Sequence, residues 1–450
     1  MKKVITYGTF DLIHRGHIRL LERAKELGDY LIVGVTADGF DQARGKINVS
    51  QSVNERIEGV RATGLADEII VEEYEGQKID DIRRLGIDVF TVGSDWRGHF
   101  DYLSEYCDVV YLDRTQGISS TEIRSDRKPI SIGFVGAAQE TVKHPAEAKY
   151  VNGMSVSGLF DPYATSSGFK TGCSSYQELL AKSDAVFVLS KAADHYGHVR
   201  AALEQGKHVI CESPLALLPH DVEELFCLAD SKGLVLMEGI KTAYSTAYHR
   251  LSLLVQSGAI GRVASVQSTC TSLADLSYGA LSVDSKLPSA DTWLPTALLP
   301  ILQFLGCGYR DKLMVRSDLS GHKDFDVFGK VDLVYEEAVG SAVIGKAVKS
   351  EGSLCIAGTD GYIWVPSPWW KTDYFEVRRE NPSENRRYFY QLEGEGIRNE
   401  LASFARSIQT GHNLPLVDRG VSIALSRLVG EFKAGTGTYR LKDIDVPRHR

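Results

Sequence analysis

Along the first part of the chain, short apolar runs rich in β-branched residues alternate with stretches whose apolar positions recur at helical spacing. Val4–Thr6, Tyr30–Val35, Ile69–Val71, Val89–Val92 and Val109–Leu112 have the length and composition of strands. His17–Leu27 sets Ile18, Leu20, Leu21, Ala24 and Leu27 toward one side of a helix. Strands and helices alternating in this way predict a parallel sheet with crossover helices. The charged run Ser125-Asp126-Arg127-Lys128-Pro129 interrupts the pattern and reads as a linker. A fresh strand, Ile130–Val135, starts directly after it, which suggests two fused modules. Met154–Phe160, Ala185–Leu189, His208–Cys211 and Leu234–Met237 continue the alternation, with Val199–Glu204 and Val222–Ala229 among the helices. Past Tyr244 the texture changes. A helix over Ala247–Ser257 ends at Gly258. Longer, aromatic-rich β segments follow: Val263–Thr269, Gly329–Tyr335, Ala342–Val348, Leu354–Ala357, Tyr362–Val365, Tyr374–Arg378 and Arg387–Leu392. They suit an open, largely antiparallel sheet. Two helices, Arg398–Ile408 and Gly420–Phe432, close the chain.

Composition narrows the class. A chain of 450 residues, 43% hydrophobic, has room for about three domains and is too apolar for global disorder. A net charge of −8 makes broad binding to nucleic acid or an anionic membrane a poor fit, though it leaves space for a local phosphate pocket. Seven cysteines without a CxxC pair argue against a disulfide framework or a zinc module. No run of ~18 apolar residues is present, and the start lacks the apolar core of a signal peptide. A cytoplasmic, multidomain α/β enzyme is expected.

The strongest chemical signal is Gly8-Thr9-Phe10-Asp11-Leu12-Ile13-His14-Arg15-Gly16-His17. A strand runs into a turn, two histidines flank a glycine, and a helix begins. That sets two imidazoles beside free N–H groups at a positive dipole end, an arrangement that suits nucleotide phosphates, and Gly16 lets backbone approach them. A histidine pair is a weak signal when isolated, and a zinc site would need a third ligand nearby, which the sequence does not offer.

From Met1 to about Arg124 the chain resembles the glycerol-3-phosphate cytidylyltransferases of the HxGH nucleotidyltransferase superfamily. The likeness includes the opening MKKVITYGTFDLIHRGHIRLLERAKELGDYLIVGV and the stretch Arg114-Thr115-Gln116-Gly117-Ile118-Ser119-Ser120-Thr121, similar to the family's RTxGIST motif. It implies CTP as donor, a small polyol phosphate as acceptor and Mg²⁺ accompanying the triphosphate. It implies catalytic roles for His14, His17, Lys46 and Arg114. Nucleotide contacts would come from Thr9, Phe10, His14, Arg15, Gly16, His17, Lys46, Arg114, Thr115, Gly117, Ile118, Ser119, Ser120 and Thr121. Arg44 and Lys78 would meet the acceptor phosphate. Arg15 replaces the family's aromatic residue between the histidines, and Gly93-Ser94-Asp95-Trp96 has Ser in place of one acid. These departures leave open which polyol phosphate is used.

From Ile130 the chain resembles the Gfo/Idh/MocA oxidoreductases. The pieces that carry this are Ile132-Gly133-Phe134-Val135-Gly136, His208 to Ala216, Gln256 to Gly261 and Trp369 to Tyr374. The resemblance implies an NAD(P)-type Rossmann domain, with Gly133, Gly136, Asp161 and Glu212 as dinucleotide-binding candidates, then an α/β domain for substrate and dimer contacts. Three positions depart from it: Gly136-Ala137-Ala138 lacks the second glycine, Ser213 replaces the family lysine, and Ala297 falls where a catalytic His or Tyr is usual. Lys241 and His195 stand nearby, with surface and structural readings favoured for them.

The expected fold class is therefore α/β throughout. A Rossmann-like nucleotidyltransferase domain (1–126) precedes a Rossmann domain (127–245) and an α/β domain with a large, mainly antiparallel sheet (246–450), whose last helices could pack back on the Rossmann domain. The expected function is CMP transfer from CTP to a polyol phosphate, glycerol 3-phosphate first among them. The second module is expected to be degenerate, serving as a dimerisation or substrate-presenting scaffold. The alternative is a bifunctional enzyme whose second module reduces a sugar or triose carbonyl with NAD(P)H. A protein with neither activity is disfavoured by His14, His17 and Arg114. A homodimer or larger homo-oligomer, and no nucleic-acid or membrane partner, complete the expectation.

Overall fold

The computed structural model describes residues 1–37, 49, 51, 53–74, 76–113, 129–137, 142–151, 153–163, 172–273, 287–390, 392, 394–411 and 416–445. Arg44, Lys46, Arg114, Thr115, Gly117, Ile118, Ser119, Ser120 and Thr121 lie outside the described residues, as does most of the charged linker. The chain divides into two compact units, Met1–Pro129 and Ile130–Arg450.

Among its described residues the first unit runs β1 (Lys3–Gly8), α1 (Arg15–Lys25), β2 (Tyr30–Thr36), α2 (Val53–Ala62), β3 (Glu68–Glu72), α3 (Gln77–Leu85), β4 (Val89–Gly93) and β5 (Asp108–Leu112). The strands form one parallel sheet in the order β3-β2-β1-β4-β5. Period-two alternation sorts each apolar run onto both faces. Val4, Leu31, Val33 and Val35 pack with Leu21, Ala24 and Val60 of α1 and α2. Ile5, Tyr7, Ile32, Phe90 and Val92 pack on the other side with Ile82 of α3 and with Phe100 and Leu103. Gly34 is required by this packing, since a Cβ there would stand 2.2 Å from the Tyr7 ring. The sequence pattern does not reveal α2 and α3. The residues α2 buries are Arg56 and Val60, and those of α3 are Gln77, Lys78, Asp81 and Ile82, so polar side chains occupy the inner faces.

The second unit opens with β6 (Ile130–Gly136), α4 (Lys143–Ala148), β7 (Met154–Phe160), α5 (Tyr176–Lys182), β8 (Ala185–Leu189), α6 (Ala192–Glu204), β9 (His208–Glu212), α7 (Pro219–Lys232) and β10 (Leu236–Gly239). These strands form a second parallel sheet, β10-β9-β8-β6-β7, whose core joins Val135, Val186, Val188 and Val209 to the inner faces of α5, α6 and α7. The chain continues through α8 (Lys241–Tyr244), α9 (Thr246–Gln256), β11 (Val263–Thr271), α10 (Ser289–Leu305), β12 (Asp311–Leu319), β13 (His322–Val334), β14 (Val339–Gly345), β15 (Leu354–Gly358), β16 (Gly361–Val365), β17 (Tyr374–Arg378), β18 (Arg386–Phe389), α11 (Ile397–Thr410), α12 (Arg419–Ala434) and β19 (Thr438–Arg440). The large sheet, β18-β17-β16-β15-β11-β14-β13-β12-β19, is antiparallel except where β11 pairs β14 and β12 pairs β19. The mixed α/β class and the mainly antiparallel large sheet agree with the sequence reading. Helix α11 lies against α4 and α8, and α12 against α7 and α10.

Two elements here escape periodicity. Helix α10 (SADTWLPTALLPILQFL) holds Pro295 and Pro300 and is apolar nearly all round, which fits a helix buried against β11, β13 and β14. In β12 the alternation is broken by a buried pair. Arg316 donates to Asp318 at 2.8 Å and to the Phe432 and Lys433 carbonyls at 3.2 and 3.1 Å.

Candidate active sites

In the first unit the chain builds outward from β1 to β2 and β3, then returns to add β4 and β5 on the other side. That reversal opens a crevice at the carboxyl ends of β1 and β4, the usual ligand position in such sheets. The Thr9–His14 loop and the head of α1 stand there. His14 is the N-cap of α1, and its Nδ1 accepts the Gly16 N–H at 3.0 Å. The hydrogen bond assigns the neutral ring a proton on Nε2. The His17 ring stacks on His14 with centroids 3.9 Å apart and meets the edge of Phe10 at 5.5 Å. The first turn of α1 carries no acidic residue, which leaves the positive potential of the helix start uncompensated from within the helix. Phe10 is itself buried, so its ring supports the histidines from below while its backbone forms the loop. Arg15 is exposed. The Asp113 carbonyl, one residue before the Arg114–Thr121 motif, accepts Arg23 of α1 at 2.7 Å.

Arg56, Gln51 and Asp11 hold this loop, and of these sequence reasoning singled out neither Arg56 nor Gln51. Phe10 and Leu12 adopt left-handed φ of 53° and 49°, a conformation non-glycine residues hold only when their surroundings enforce it. Arg56 of α2 is fully buried and donates to the carbonyls of Thr9 at 2.7 Å, Thr36 at 2.9 Å and Gln51 at 3.1 Å. Gln51 in turn takes the Leu12 N–H on its side chain at 2.8 Å and gives its own N–H to buried Asp11 at 3.0 Å. No local pattern marks Arg56, which in Val-Asn-Glu-Arg-Ile-Glu looks like one charge on a solvated helix.

Lys78, at the head of α3, is buried rather than extended into solvent. Its ammonium pairs with Glu72 at the end of β3 and lies 4.6 Å from the centroid of the Tyr7 ring and 5.5 Å from that of Phe100. Tyr7 donates to Asp81 at 2.9 Å, and burial with the nearby Asp81 carboxylate pushes its phenol far above the ordinary range. Among the described residues no group of three His, Cys, Asp or Glu is placed to hold a metal.

In the second unit the sheet reverses at β6, between β7 and β8. Gly136 closes β6 so tightly that a Cβ would stand 2.4 Å from the Leu189 carbonyl oxygen. Asp161 follows β7 directly and accepts the Tyr163 N–H at 2.8 Å. The Tyr163 hydroxyl accepts the Lys191 N–H, beyond β8, at 2.7 Å. Exposed Glu212 ends β9. A glycine-ended first strand, an acid after the second and a sheet reversal between them fit a dinucleotide's pyrophosphate and ribose. Ser213 is buried and donates to Glu238, whose carboxyl is pushed up to about 7 by burial, against the opposing effect of Ser213, Ser422 and the Leu215 backbone. His195 is structural. Both of its ring nitrogens lie 2.7 Å from carbonyl oxygens, those of Pro214 and Ser190, so it ties the ends of β9 and β8 together.

Glu400 of α11 stands over Gly239 and is wholly buried. Its carboxyl is raised to about 8, by burial first and by Glu212, with Lys241 opposing. An acid whose folded pKa lies above its unfolded value binds extra protons when folded. The stability it contributes is full below the unfolded value and falls as pH rises through the folded one. Glu400→Gln is therefore expected to raise the thermal midpoint at pH 9 and to change it little at pH 5, as scanning calorimetry would read.

The crevice in the first sheet and the paired histidines capping the helix after its first strand define a nucleotidyltransferase. The cytidylyltransferase-like family profile matches residues 5–126. The glycerol-3-phosphate cytidylyltransferase of Bacillus spizizenii is 53% identical over 126 residues, 28% of this chain and 97% of its own length. That of Staphylococcus aureus is 47% identical over 128 residues, again 28% of this chain and 95% of its length. Through this N-terminal unit the chain belongs to the glycerol-3-phosphate cytidylyltransferase family, and the unit is fused to a Gfo/Idh/MocA-like oxidoreductase module.

For that module, the profile of the oxidoreductase family with the NAD-binding Rossmann fold matches residues 130–240. The fold is similar to KijD10, a 3-ketoreductase from Actinomadura kijaniata solved with NADP and TDP-benzene. The TM-score is 0.58 at 18% identity, covering 70% of this chain and 100% of that one. The UDP-N-acetylglucosamine 3-dehydrogenase of Acidithiobacillus ferrooxidans gives 0.56 at 15% identity, with 69% and 98% covered. The expectation of a degenerate scaffold is overturned: the fold of these oxidoreductases is present across the whole module, and its Rossmann half matches the NAD-binding family profile. The substitutions behind that expectation also weigh less than their residue types suggest. Ala297 is wholly buried within α10, a packing position, and Ser213 sits against an ionisable carboxyl. The loop beyond Ala137 lies outside the described residues. No helix among the described residues is long and apolar enough to cross a membrane.

Proposed function

We propose that the chain is a bifunctional enzyme. Its second unit reduces a small sugar or triose carbonyl with a nicotinamide dinucleotide. Its first unit transfers CMP from CTP to a small polyol phosphate, glycerol 3-phosphate before others. The observation that carries the transferase half is the His14–His17 stack at the head of α1, in a unit matching nearly the full length of glycerol-3-phosphate cytidylyltransferases. A phosphate oxygen of the acceptor attacks the α-phosphorus of CTP in line, and pyrophosphate leaves. This chemistry calls for placement and charge stabilisation more than for a base. His14 directs Nε2–H at the reacting phosphates, His17 stacks beside it, and the N-terminus of α1 supplies a fixed positive potential. Arg44, Lys46, Lys78 and the Arg114–Thr121 motif are assigned to triphosphate and acceptor phosphate by resemblance. Mg²⁺ arrives with the triphosphate.

In the second unit, Gly136 would let the dinucleotide approach the end of β6, Asp161 would bind the adenosine ribose, and Glu212 stands at the neighbouring strand end. Gly133, also expected at the dinucleotide, lies within β6 where a Cβ would stand 2.6 Å from the Ser183 hydroxyl, so it serves the packing of α5 on the sheet. When bound, the dinucleotide supplies the hydride. A carboxylate at the Asp161 position favours a ribose hydroxyl over a 2′-phosphate. NADH is therefore expected to bind about tenfold more tightly than NADPH, and Asp161→Asn to narrow the gap, as read by fluorescence titration; a preference for NADPH in the unaltered protein would remove Asp161 from that role. Two assays on the full chain test the function as a whole: pyrophosphate release from CTP with a panel of polyol phosphates, and NAD(P)H oxidation with a panel of carbonyl compounds. Silence in the second assay with every carbonyl tried, and no dinucleotide binding, would return the reading to a single activity.

A further inference from the structure

Three lysines from distant parts of the second unit converge on one carboxylate. Lys143 opens α4 beyond β6, Lys241 opens α8 beyond β10, and Lys371 closes the short turn Trp369–Lys371 before β17. Their ammonium groups lie 2.8, 3.1 and 3.0 Å from the carboxylate of Glu395. The Trp370 carbonyl accepts the Thr242 hydroxyl at 3.2 Å, which fixes the Lys371 turn beside Lys241. The cluster thus stands at the carboxyl edge of the parallel sheet, where a substrate must meet the dinucleotide.

Among the described ion pairs of the cluster, positive charge outnumbers negative. Three cations share one carboxylate, and the neighbouring Glu147 is committed to Arg398 at 3.1 Å. Beside Lys143, the buried Nδ1 of His144 has no hydrogen-bond partner among the described residues. Glu395 is also held in an unfavourable backbone state. It has a left-handed φ of 54° between Gly394 at 59° and Gly396 at 87°, and a Cβ on Gly396 would stand 2.6 Å from the Lys241 carbonyl oxygen. A strained loop thus delivers one negative charge to a site that could neutralise more.

We propose that Lys143, Lys241 and Lys371 form the phosphate subsite of the carbonyl substrate, with Glu395 as an internal counter-ion that the substrate's phosphate displaces. The proposal rests on the reductase reading and specifies its substrate class. Reduction transfers hydride from the reduced nicotinamide to the carbonyl carbon while the oxygen takes a proton from water, leaving an alcohol, an oxidised dinucleotide and an untouched phosphoester. An alcohol that is then to accept CMP through its phosphate must therefore carry that phosphate as a carbonyl. The substrate class is a triose or sugar phosphate.

The test uses the full chain and pairs of carbonyl compounds differing only in phosphate: dihydroxyacetone phosphate against dihydroxyacetone, and glyceraldehyde 3-phosphate against glyceraldehyde. Lys371→Met and Lys143→Met are expected to raise KM for the phosphorylated member about tenfold or more and leave the other unchanged. Equal shifts for both members would make the cluster a structural ion network and overturn the proposal while the reductase reading stands. A rise confined to the KM of NADH or NADPH would assign the lysines to the dinucleotide's phosphates and overturn it too. A second measurement is independent of turnover. In a His14→Ala/His17→Ala background, which weakens the first unit's phosphate site, Glu395→Gln is expected to tighten inorganic phosphate binding several-fold by calorimetry, and adding Lys241→Met to abolish the gain. If no carbonyl is reduced, the reductase reading fails and this binding result alone decides the subsite; unchanged phosphate affinity in Glu395→Gln would overturn it.

Discussion

Replacing His17 with alanine is expected to lower pyrophosphate release from CTP and glycerol 3-phosphate by about 10²–10³-fold in kcat, the usual loss when one preorganised donor to a developing oxyanion is removed. His17 stacks on His14 at 3.9 Å, so its loss also frees the partner ring to tilt, and the double variant should be little worse than the worse single one. Far-ultraviolet dichroism should be unchanged, because the His14 cap and the core beneath α1 remain. Reduction by the second unit, measured on the same preparation, should be unaffected. A His17→Ala protein that retains a tenth or more of the parent rate would remove the histidine pair from the centre of the chemistry.

Arg56→Ala should have the largest effect on stability in the first unit. Its fully buried guanidinium donates to three carbonyls, and one of them, on Thr9, belongs to the loop that leads to the histidine pair. Loss of a buried, charge-assisted set of this kind costs on the order of 3 kcal/mol. The left-handed conformations of Phe10 and Leu12 lose their support at the same time. The unfolding transition of the first unit should shift to lower denaturant by that amount, and CMP transfer should fall even under conditions where the unit remains folded. Arg56→Lys, which keeps the charge but loses the planar fork that places Nε and Nη1 on separate acceptors, should recover less than half of the loss. A transition that does not move in Arg56→Ala would contradict this account of the loop.

How much could be read in advance depended on whether the information was local. Central strands such as β8 were legible because apolar runs must bury both faces of a parallel sheet, and β7, β8 and β17 begin and end where the pattern puts them. Helices α2 and α3 were not, because their inward residues include Arg56, Gln77, Lys78 and Asp81. Helix α10 was missed because two prolines and a nearly continuous apolar face conceal its period, and β12 was missed because Arg316 and Asp318 sit where apolar residues belong. The histidine pair was legible since strand, turn and helix start lie within a few residues. Arg56 and the lysines around Glu395 were not, since each is an ordinary surface charge until the fold carries it to its partners. The weight given to Ser213 and Ala297 has the same origin: a residue type was judged before its neighbours were known.

The double duty of His14 restricts how the first unit can change. The ring that caps the start of α1 through Nδ1 is the one proposed to offer Nε2 to the phosphates, so under that proposal a single side chain serves both as helix cap and as reactive group. Asparagine or aspartate, good caps elsewhere, would keep the helix end and lose the donor. Variation that improves the robustness of this unit is thereby steered away from the start of α1, and selection for turnover and selection for foldedness act there on the same few atoms.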